Sequence, residues 1–490
     1  MLTSPIHFGT SGYRGIIGST FTQRHVVVLA TAIVQYLKYK KISNPSVFIG
    51  YDTRTGNSPS LADNSYTHPL VACLTNHRIR VDFSETFCPT PVVSWAVREH
   101  AYDLGIILSA SHNPPNYNGL KINDDTGAPA PIQLTTWIAD AANVLMDTLS
   151  NKSLSISKDF FKTVSYTNAF IDHLHRVLVH TFGLDLPSFS DTYVIDLKCG
   201  SAIGIWQQLT QDHTGTIHWR NNNYSSDFNF KIPNPTDPES LAAMQADCKQ
   251  YVCIGFANDP DADRHLMIDE YGEIVSPEKI TAIIIDYMMA ANIPVGSVAT
   301  TLANSVLVKQ VCAAHHIRVK ETCIGFKYIA DSLKSATSRH IIGLGVESSG
   351  GFSASIHTYD KCGFLPILVI LGIMQKTNAR LHDLAKAIDA RYGTYSFSED
   401  HLVVSEHAPE RLLQIVPNTP ERLSELLHSD VREVITKDGI KILFTNHDWA
   451  LVRLSGTEPV IRLYAESRTP TKAHAYIQTL KAIFSKALDG

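Results

Sequence analysis

The sequence predicts an α/β protein of four consecutive segments, and three observations carry that expectation. Short apolar runs alternate with amphipathic stretches along the chain. Each apolar run stops at Asp, Asn or Gly, where α/β proteins place their chemistry. Three polar or turn-rich breaks cut the 490 residues into lengths typical of domains.

The elements follow in chain order. His25–Lys40 reads as a helix, Ser46–Ile49 as a strand ending at Gly50, and Leu104–Leu108 as a strand running into a turn-rich segment. Tyr193–Asp196, Tyr251–Phe256 and His340–Val346 read as further buried strands. The serine-rich stretch Leu149–Lys158 closes a first domain, 1–150. A second, 158–268, ends at the turn within Ile268–Ser276; a third, 269–390, ends near Arg391–Glu399; the fourth is 396–490. The shared patterning of the first three permits a domain-level repeat.

Composition narrows the function classes. A formal charge of −5 is neither the basic balance of a nucleic-acid binder nor an acidic tail, so an anionic ligand needs a local cationic site. Eight scattered cysteines without a CxxC pair read as reduced thiols, not as a disulfide framework or zinc site. The first residues lack the pattern of a signal peptide, and the apolar run Phe364–Met374, interrupted by Pro366, is too short to span a bilayer. These points lead to the expectation of a soluble cytoplasmic protein with no nucleic-acid or membrane partner. Oligomeric state stays open.

Six segments carry chemistry. In Ser109–Ile122 (SASHNPPNYNGLKI), Ser111 follows a strand, and His112, Asn113 and Pro114-Pro115 impose a tight, stiff loop. Such a loop can present one hydroxyl in a fixed direction, with Lys121 returning behind Gly119; an ordinary capped turn fits the local pattern as well. In Asn258–His265 (NDPDADRH), Asp259, Asp261 and Asp263 alternate between two apolar runs, and alternate carboxylates project the same way from an extended chain. Three close like charges repel unless a cation neutralises them, and hard oxygen ligands suit Mg²⁺. The segment imitates a calcium EF-hand, with Glu270 at position 12, but Arg264 stands where that loop needs Gly and the flanks read as strands. A solvated acidic turn is the alternative.

Arg453–Arg462 (RLSGTEPVIR) joins two strand-like runs, Trp449–Leu454 and Val460–Ser467. Ser455, Gly456 and Thr457 can offer backbone N–H groups and hydroxyls to an anion, and Arg453 and Arg462 can add charge-assisted bonds to phosphate. The glycines of Phe8–Gly15 (FGTSGYRG) imply close backbone approach around Arg14. Gly345–Phe352 (GVESSGGF) offers Glu347 and Ser349 to hydroxyl groups, and Gly325–Lys327 (GFK) adds a cation. Each of these, taken alone, also fits a plain turn.

In this order and combination, FGTSGYRG, ASHNP with the following GxK, DPDADR, GFK, ESSGG and RLSGTEP resemble the phosphohexomutase superfamily from residue 8 to residue 462. Smaller echoes are GYDTR at 50–54, PTP at 89–91 and PNP at 233–235. The resemblance implies three similar α/β/α domains with mixed sheets and a smaller C-terminal α+β domain around a central cleft. It implies a phosphoryl group on Ser111, with Mg²⁺ held by that group and Asp259, Asp261 and Asp263. Arg14, Lys121, His112 and Arg264 would be the catalytic neighbours. Gly325, Phe326, Lys327, Glu347, Ser349, Lys361, Arg453, Ser455, Gly456, Thr457 and Arg462 would bind the substrate, the arginines and the SGT turn gripping its non-reacting phosphate.

The implied reaction interconverts glucose 1-phosphate and glucose 6-phosphate through glucose 1,6-bisphosphate. DPDADRH and GFKYI look most like glucose-directed members. A phosphomannomutase or bifunctional enzyme is the alternative, and a phosphatase acting through the same serine the rival of another class. A non-enzymatic binding protein is disfavoured by the intact Ser111, Lys121 and aspartates. The sequence departs from the family pattern at Val346 and Ser348 in the sugar loop, usually GEESGG, and at Cys362 in Asp360–Gly363, usually DKDG. Lys121 suits general-base work only where its pKa is lowered.

Overall fold

The computed structural model describes residues 5–149, 155–404, 419–454 and 460–488. Four sheets follow one another along the chain. The first is six-stranded: Tyr13–Ile16, Tyr117–Asn123, Leu104–Leu108, Ser46–Tyr51, Arg80–Ser84 and Phe161–Val164, from edge to edge. The second orders Ile274–Val275, His265–Ile268, Ile254–Asn258, Thr192–Asp196 and Thr216–Arg220. The third orders Arg318–Thr322, Val295–Thr301, Ile342–Val346 and Phe352–Ala354. These three sheets are mixed, as expected, while the fourth, around Trp449–Leu454, is antiparallel throughout.

One construction repeats in the first three. A buried parallel strand runs into a loop and returns as its antiparallel neighbour: Leu104–Leu108 with Tyr117–Asn123, Ile254–Asn258 with His265–Ile268, and Ile342–Val346 with Phe352–Ala354. The ASHNP, DPDAD and ESSGG segments are the three connecting loops. Their flanking strands are apolar because both faces are covered.

The helix Gln23–Tyr39 starts where the Thr22 side chain accepts from His25 N–H and buries Val26, Leu29, Ile33 and Leu37 against the first sheet. The apolar run predicted not to cross a bilayer forms the helix Phe364–Thr377, with Pro366 in its first turn and Phe364–Ile373 buried. A helix apolar on all sides belongs in a core. Its residues join one continuous cluster with Trp95 and Phe170 on one side and Trp206 and Phe256 on the other. Among the described residues, no helix is long and apolar enough to cross a membrane.

The strand from Ser46 runs through Gly50 to Tyr51, and three elements differ further from the sequence reading. Tyr251 ends the helix Pro238–Tyr251, the chain turns through Val252 in the left-handed region (φ 49°), and the strand starts only at Ile254. His340 likewise occupies a left-handed turn (φ 55°), so that strand starts at Ile342. Phe161–Val164, placed by sequence after the first break, pairs in parallel with Arg80–Ser84 and extends the first sheet. The edge of that sheet offered unpaired backbone groups, and alternation alone cannot say which sheet a short strand will complete.

Candidate active site

Ser111 lies at the turn of the first hairpin, fully buried and at φ 52°. A non-glycine residue there is strained by about 1–2 kcal/mol and persists only where its surroundings hold it. Arg54, itself without exposed surface, supplies that hold. Its guanidinium donates to the carbonyls of Ser111, Asn113 (2.8 Å), Pro114 (3.0 Å) and Tyr117 (3.0 Å). Asp52 anchors Arg54 at 3.1 Å and accepts from Ser109 Oγ at 2.7 Å, while Ser109 Oγ accepts from Ser111 N–H at 2.8 Å. Gly119 lets the hairpin close, since a Cβ there would lie 2.6 Å from the carbonyl oxygens of Ser109 and Tyr13.

The Ser111 hydroxyl donates to Asp259 Oδ2 at 2.6 Å, with His112 Nδ1 at 3.4 Å. Asp259, Asp261 and Asp263 sit in the second hairpin's loop and are buried. They converge because the chain turns, with Ala262 N–H bonded to Asp259 O at 2.9 Å and Ala262 at φ 51°, and not because it stays extended as alternation suggested. Their three ligand atoms lie within 4.8 Å of one another. Pro260 is clamped from within its own domain: Ser201 N–H and Oγ both donate to its carbonyl at 2.8 Å.

Cations from three domains surround the aspartates. Lys121, on the first hairpin, bonds Asp261 Oδ2 and Asp263 Oδ2, the latter at 2.9 Å. Lys361, from the third domain, reaches Asp263 Oδ2 at 3.1 Å and Glu347 at 4.0 Å. Arg264 lies 3.9 and 3.8 Å from Asp259 and Asp263. Burial, then Asp263 and Asp261, push Asp259 up to about 7. Burial also opposes the Asp263 anion, but Lys121, Lys361 and Arg264 outweigh it and hold that carboxyl well below the usual range. Burial likewise opposes the Lys121 ammonium, yet Asp261 and Asp263 carry its pKa above the ordinary lysine value. In this arrangement Lys121 holds its charge between two carboxylates. Burial, Arg264 and Arg14 keep His112 neutral, and Arg14, lowered to about 10 by burial and Arg264, donates to Asn113 Oδ1 at 2.6 Å.

The donor set suits a divalent cation. Asp261 Oδ1 and Asp263 Oδ1 are buried and accept no hydrogen bond, and a group of three carboxylates with one pushed to about 7 is short of positive charge at its centre.

The third hairpin docks on the second. His265 N–H and Nδ1 both meet Gly350 O, at 3.0 and 2.7 Å, and Gly363 N–H donates to Ala262 O at 2.9 Å. Glu347 is nearly buried beside Lys361, and Ser349 is exposed on the turn. Val346 points into the core and so displaces no cleft contact, whereas Ser348 is half-buried in the loop. Cys362 is also a core residue, its N–H bonded to Phe352 O at 2.8 Å.

Lys121, Asp263 and Lys361 line a cleft together with Thr10, Ser11 and Lys327. Gly325 (φ 130°) starts the helix Phe326–Ser338 and aims Lys327 at this cleft. Phe326 corrects the sequence reading. Its ring packs with Ala299, Ile329, Leu333 and Tyr359 at 2% exposure, because the first apolar position of that helix faces its own sheet. Arg453, on the fourth sheet, binds Asp438 Oδ1 at 2.9 Å, and Asp438 Oδ2 accepts Ile324 N–H from the third domain at 2.7 Å. Burial and Arg453 both lower the Lys327 pKa, so the two cations share one field. Arg462 pairs in register opposite Arg453. Ser455, Gly456 and Thr457 lie outside the described residues.

Sequence reasoning missed Arg54, Thr90, Asn123 and Asp360. Asn123 and Asp360 line the cleft and bond each other at 3.0 Å. GYDTR and PTP were visible as motifs, but nothing local assigned them a task.

Comparison with known proteins agrees with this construction. The chain matches the phosphoglucomutase/phosphomannomutase family in all four parts: α/β/α domain I over residues 5–147, domain II over 169–272, domain III over 276–392 and the C-terminal domain over 377–482. It is 26% identical to a phosphoglucomutase of Komagataeibacter xylinus, covering 99% of this chain and 92% of that protein. It is 25% identical to a phosphoglucosamine/phosphogalactosamine mutase of Sulfurisphaera tokodaii, covering 97% and 98%. A solved phosphoglucomutase/phosphomannomutase family protein from Burkholderia thailandensis superposes with a TM-score of 0.77 over 99% of this chain and 98% of that one, at 18% identity. With four domain matches in order and the three-hairpin cleft they enclose, this chain belongs to the phosphoglucomutase/phosphomannomutase family of isomerases.

Proposed function

We propose that the protein is a phosphoglucomutase that interconverts glucose 1-phosphate and glucose 6-phosphate through a phosphoryl group carried on Ser111. The observation that carries this reading is the meeting of the Ser111 hydroxyl with Asp259, beside Arg264 and beside Lys121 and Asp263, which line a cleft that Lys327 also lines. A phosphoryl donor at one end and a phosphate grip at the other is what a mutase needs. The phosphoryl passes from Ser111 Oγ to the free hydroxyl of the sugar monophosphate, giving glucose 1,6-bisphosphate. The intermediate turns over, and its other phosphate returns to Ser111.

Asp259, Asp261 and Asp263, with the Ser111 phosphoryl, would hold Mg²⁺, which when bound supplies positive charge to the phosphoryl oxygens. Lys121, Arg264 and Arg14 offset charge on the same group from the protein side, with His112 beside the hydroxyl. Lys327, Arg453 and Arg462, with Ser455, Gly456 and Thr457, grip the phosphate that does not react, and Glu347, Ser349 and Lys361 orient the sugar between.

Support for glucose comes from His265. This residue of the glucose-like DPDADRH motif is buried and bonded to Gly350, so it sets the position of the sugar loop. Mannose or dual use is the second reading, since Ser348 replaces the usual second Glu of that same loop and alters its contacts to sugar hydroxyls.

The test is conversion of glucose 1-phosphate to glucose 6-phosphate with Mg²⁺ and a trace of glucose 1,6-bisphosphate, beside mannose 1-phosphate and glucosamine 1-phosphate. Glucose turnover that vanishes in Ser111→Ala is the expected result. Faster turnover of another sugar would move the specificity. Phosphate release without isomerisation would replace the mutase by a phosphatase.

A further inference from the structure

Thr90 belongs to the first domain, yet both of its hydrogen-bond donors are spent on Asp261 of the second. It opens the helix Thr90–His100, after Pro89, whose side chain cannot cap the helix. The first N–H groups of a helix have no partner within it. Thr90 N–H finds one across the domain boundary, donating to the main-chain carbonyl of Asp261 at 2.9 Å. Its hydroxyl donates to Asp261 Oδ2, and the residue has no exposed surface. The prolines on either side, Pro89 and Pro91, fix φ and stiffen this support.

The two bonds do different things. The N–H bond fixes where the Asp261 backbone sits. The hydroxyl bond fixes the rotation of its carboxylate. Lys121 occupies the same oxygen, Oδ2, from a second direction. The other oxygen, Oδ1, is buried and accepts no hydrogen bond, and the same is true of Asp263 Oδ1. With Oδ2 doubly held, Oδ1 is the Asp261 oxygen left to meet a cation.

We propose that Thr90 is a positioning residue for the cation site, orienting Asp261 so that Oδ1 faces the ion and tying that orientation to the docking of the first domain on the second. The inference rests on the reading of the three aspartates as a cation site. Its physical basis is the general one that hydrogen bonds to a ligating carboxylate set its orientation and affinity. Lys121 alone would not do this, because a flexible ammonium can follow a rotating carboxylate, whereas a hydroxyl on the first residue of a helix cannot.

The experiment measures Mn²⁺ binding to the purified full-length protein from the signal of free Mn²⁺ in electron paramagnetic resonance, without substrate. Wild type is compared with Thr90→Val, Thr90→Ala and Thr90→Ser. Val keeps the shape without the hydroxyl, Ala removes the side chain without placing a methyl against the carboxylate, and Ser restores the donor. The expected result is a Kd weakened by about 10–100-fold in Val and Ala and restored to within about threefold of wild type in Ser. Thermal melting of each variant reports folding, and a truncated variant that melts as wild type does while binding weakly supports the proposal. Wild-type affinity in either folded truncation overturns it and leaves the cation site standing. A wild-type protein that binds no Mn²⁺ overturns the cation reading and this proposal together. Equal weakening in Ser and Val would mean that packing, not the hydroxyl, matters, and would also overturn it.

Discussion

Where the first two domains meet, Ser111, Asp259, Asp261 and Asp263 are at most 1% exposed, and each is held by groups from more than one element. Where the third meets the fourth, Lys327 and Arg453 are half-buried, and among the described residues Arg453 is held by Asp438, itself part of the bridge between those domains. Domains one and two thus meet through a rigid, over-determined charge cluster, whereas three and four present cations with room to adjust. The difference matches two tasks. Phosphoryl transfer depends on sub-ångström placement of a fixed group. The far end must accept a phosphate attached to either end of a sugar, and a looser cation pair tolerates both.

The largest effect expected is at the nucleophile. Ser111→Ala should reduce turnover by more than about 10⁴-fold, as loss of a covalent nucleophile generally does. Because alanine meets the same backbone strain, the melting temperature should stay near that of wild type. Mass spectrometry of wild type should show one added phosphoryl group that the variant lacks. Retained turnover would remove Ser111 from the chemistry.

Arg54 tests whether the reacting end is rigid by design. Arg54→Lys keeps a buried charge beside Asp52 but cannot serve four loop carbonyls with a planar fork. The expected outcome is a fall in kcat of about 10²-fold with KM within about threefold, since a misplaced serine slows transfer without weakening the sugar's grip. An unchanged kcat would show that the left-handed turn at Ser111 holds without Arg54. Arg54→Leu, which strands Asp52, should instead destabilise the fold by about 3–5 kcal/mol.

Arg453 tests the other end. Arg453→Gln removes a charge-assisted contact to a phosphate present in both ground and transition states. KM for the sugar phosphate should rise about 10–100-fold, in line with the roughly 1.5–3 kcal/mol of such a bond, with a smaller change in kcat. A kcat loss equal to that of Arg54→Lys would erase the contrast between the two ends.

The sequence exposed the reacting end better than what supports it. Ser111, Lys121 and the aspartates announced themselves because phosphoryl chemistry requires those residue types at short spacing, and the apolar strands flanking each loop were legible from pattern. The hairpin strands Leu104–Leu108, Trp449–Leu454 and Val460–Ser467 have the predicted bounds for the same reason. Arg54 and Thr90 gave no comparable sign, because their partners lie 57 and 171 residues away and no local period encodes such a contact. Phe326 was assigned to the cleft with its motif neighbours, but the motif needs the glycine's backbone and the lysine's charge, while the aromatic between them serves the core. The helix end at Tyr251 was hidden because a left-handed valine carries no sequence mark comparable to glycine.

The smallest effect expected concerns the junction behind the rigid end. His173 Nε2 and His357 Nδ1 lie 2.9 Å apart in stacked rings, packed against Phe170, with Trp95 beside His173. One ring donates to the other, and protonation of both would set two N–H donors face to face. Burial, then Arg176 and Arg98, lowers His173 to about 4, and burial, His173 and Arg98 hold His357 well below the ordinary value. The folded state therefore binds fewer protons than the unfolded chain between about pH 4 and 6.5. Stability attached to the neutral pair is fully present above pH 6.5 and is lost as pH falls through that window. For His173 the loss between pH 7.5 and 4.5 should be about 2 kcal/mol. Urea denaturation of wild type and His173→Gln across this range checks it. The stability gap between them should narrow or reverse on acidification, because the variant lacks one titrating ring. A gap independent of pH would mean that the pair takes up its proton without strain. In that case the junction's rigidity rests on the apolar contacts of Trp95 and Phe170 alone.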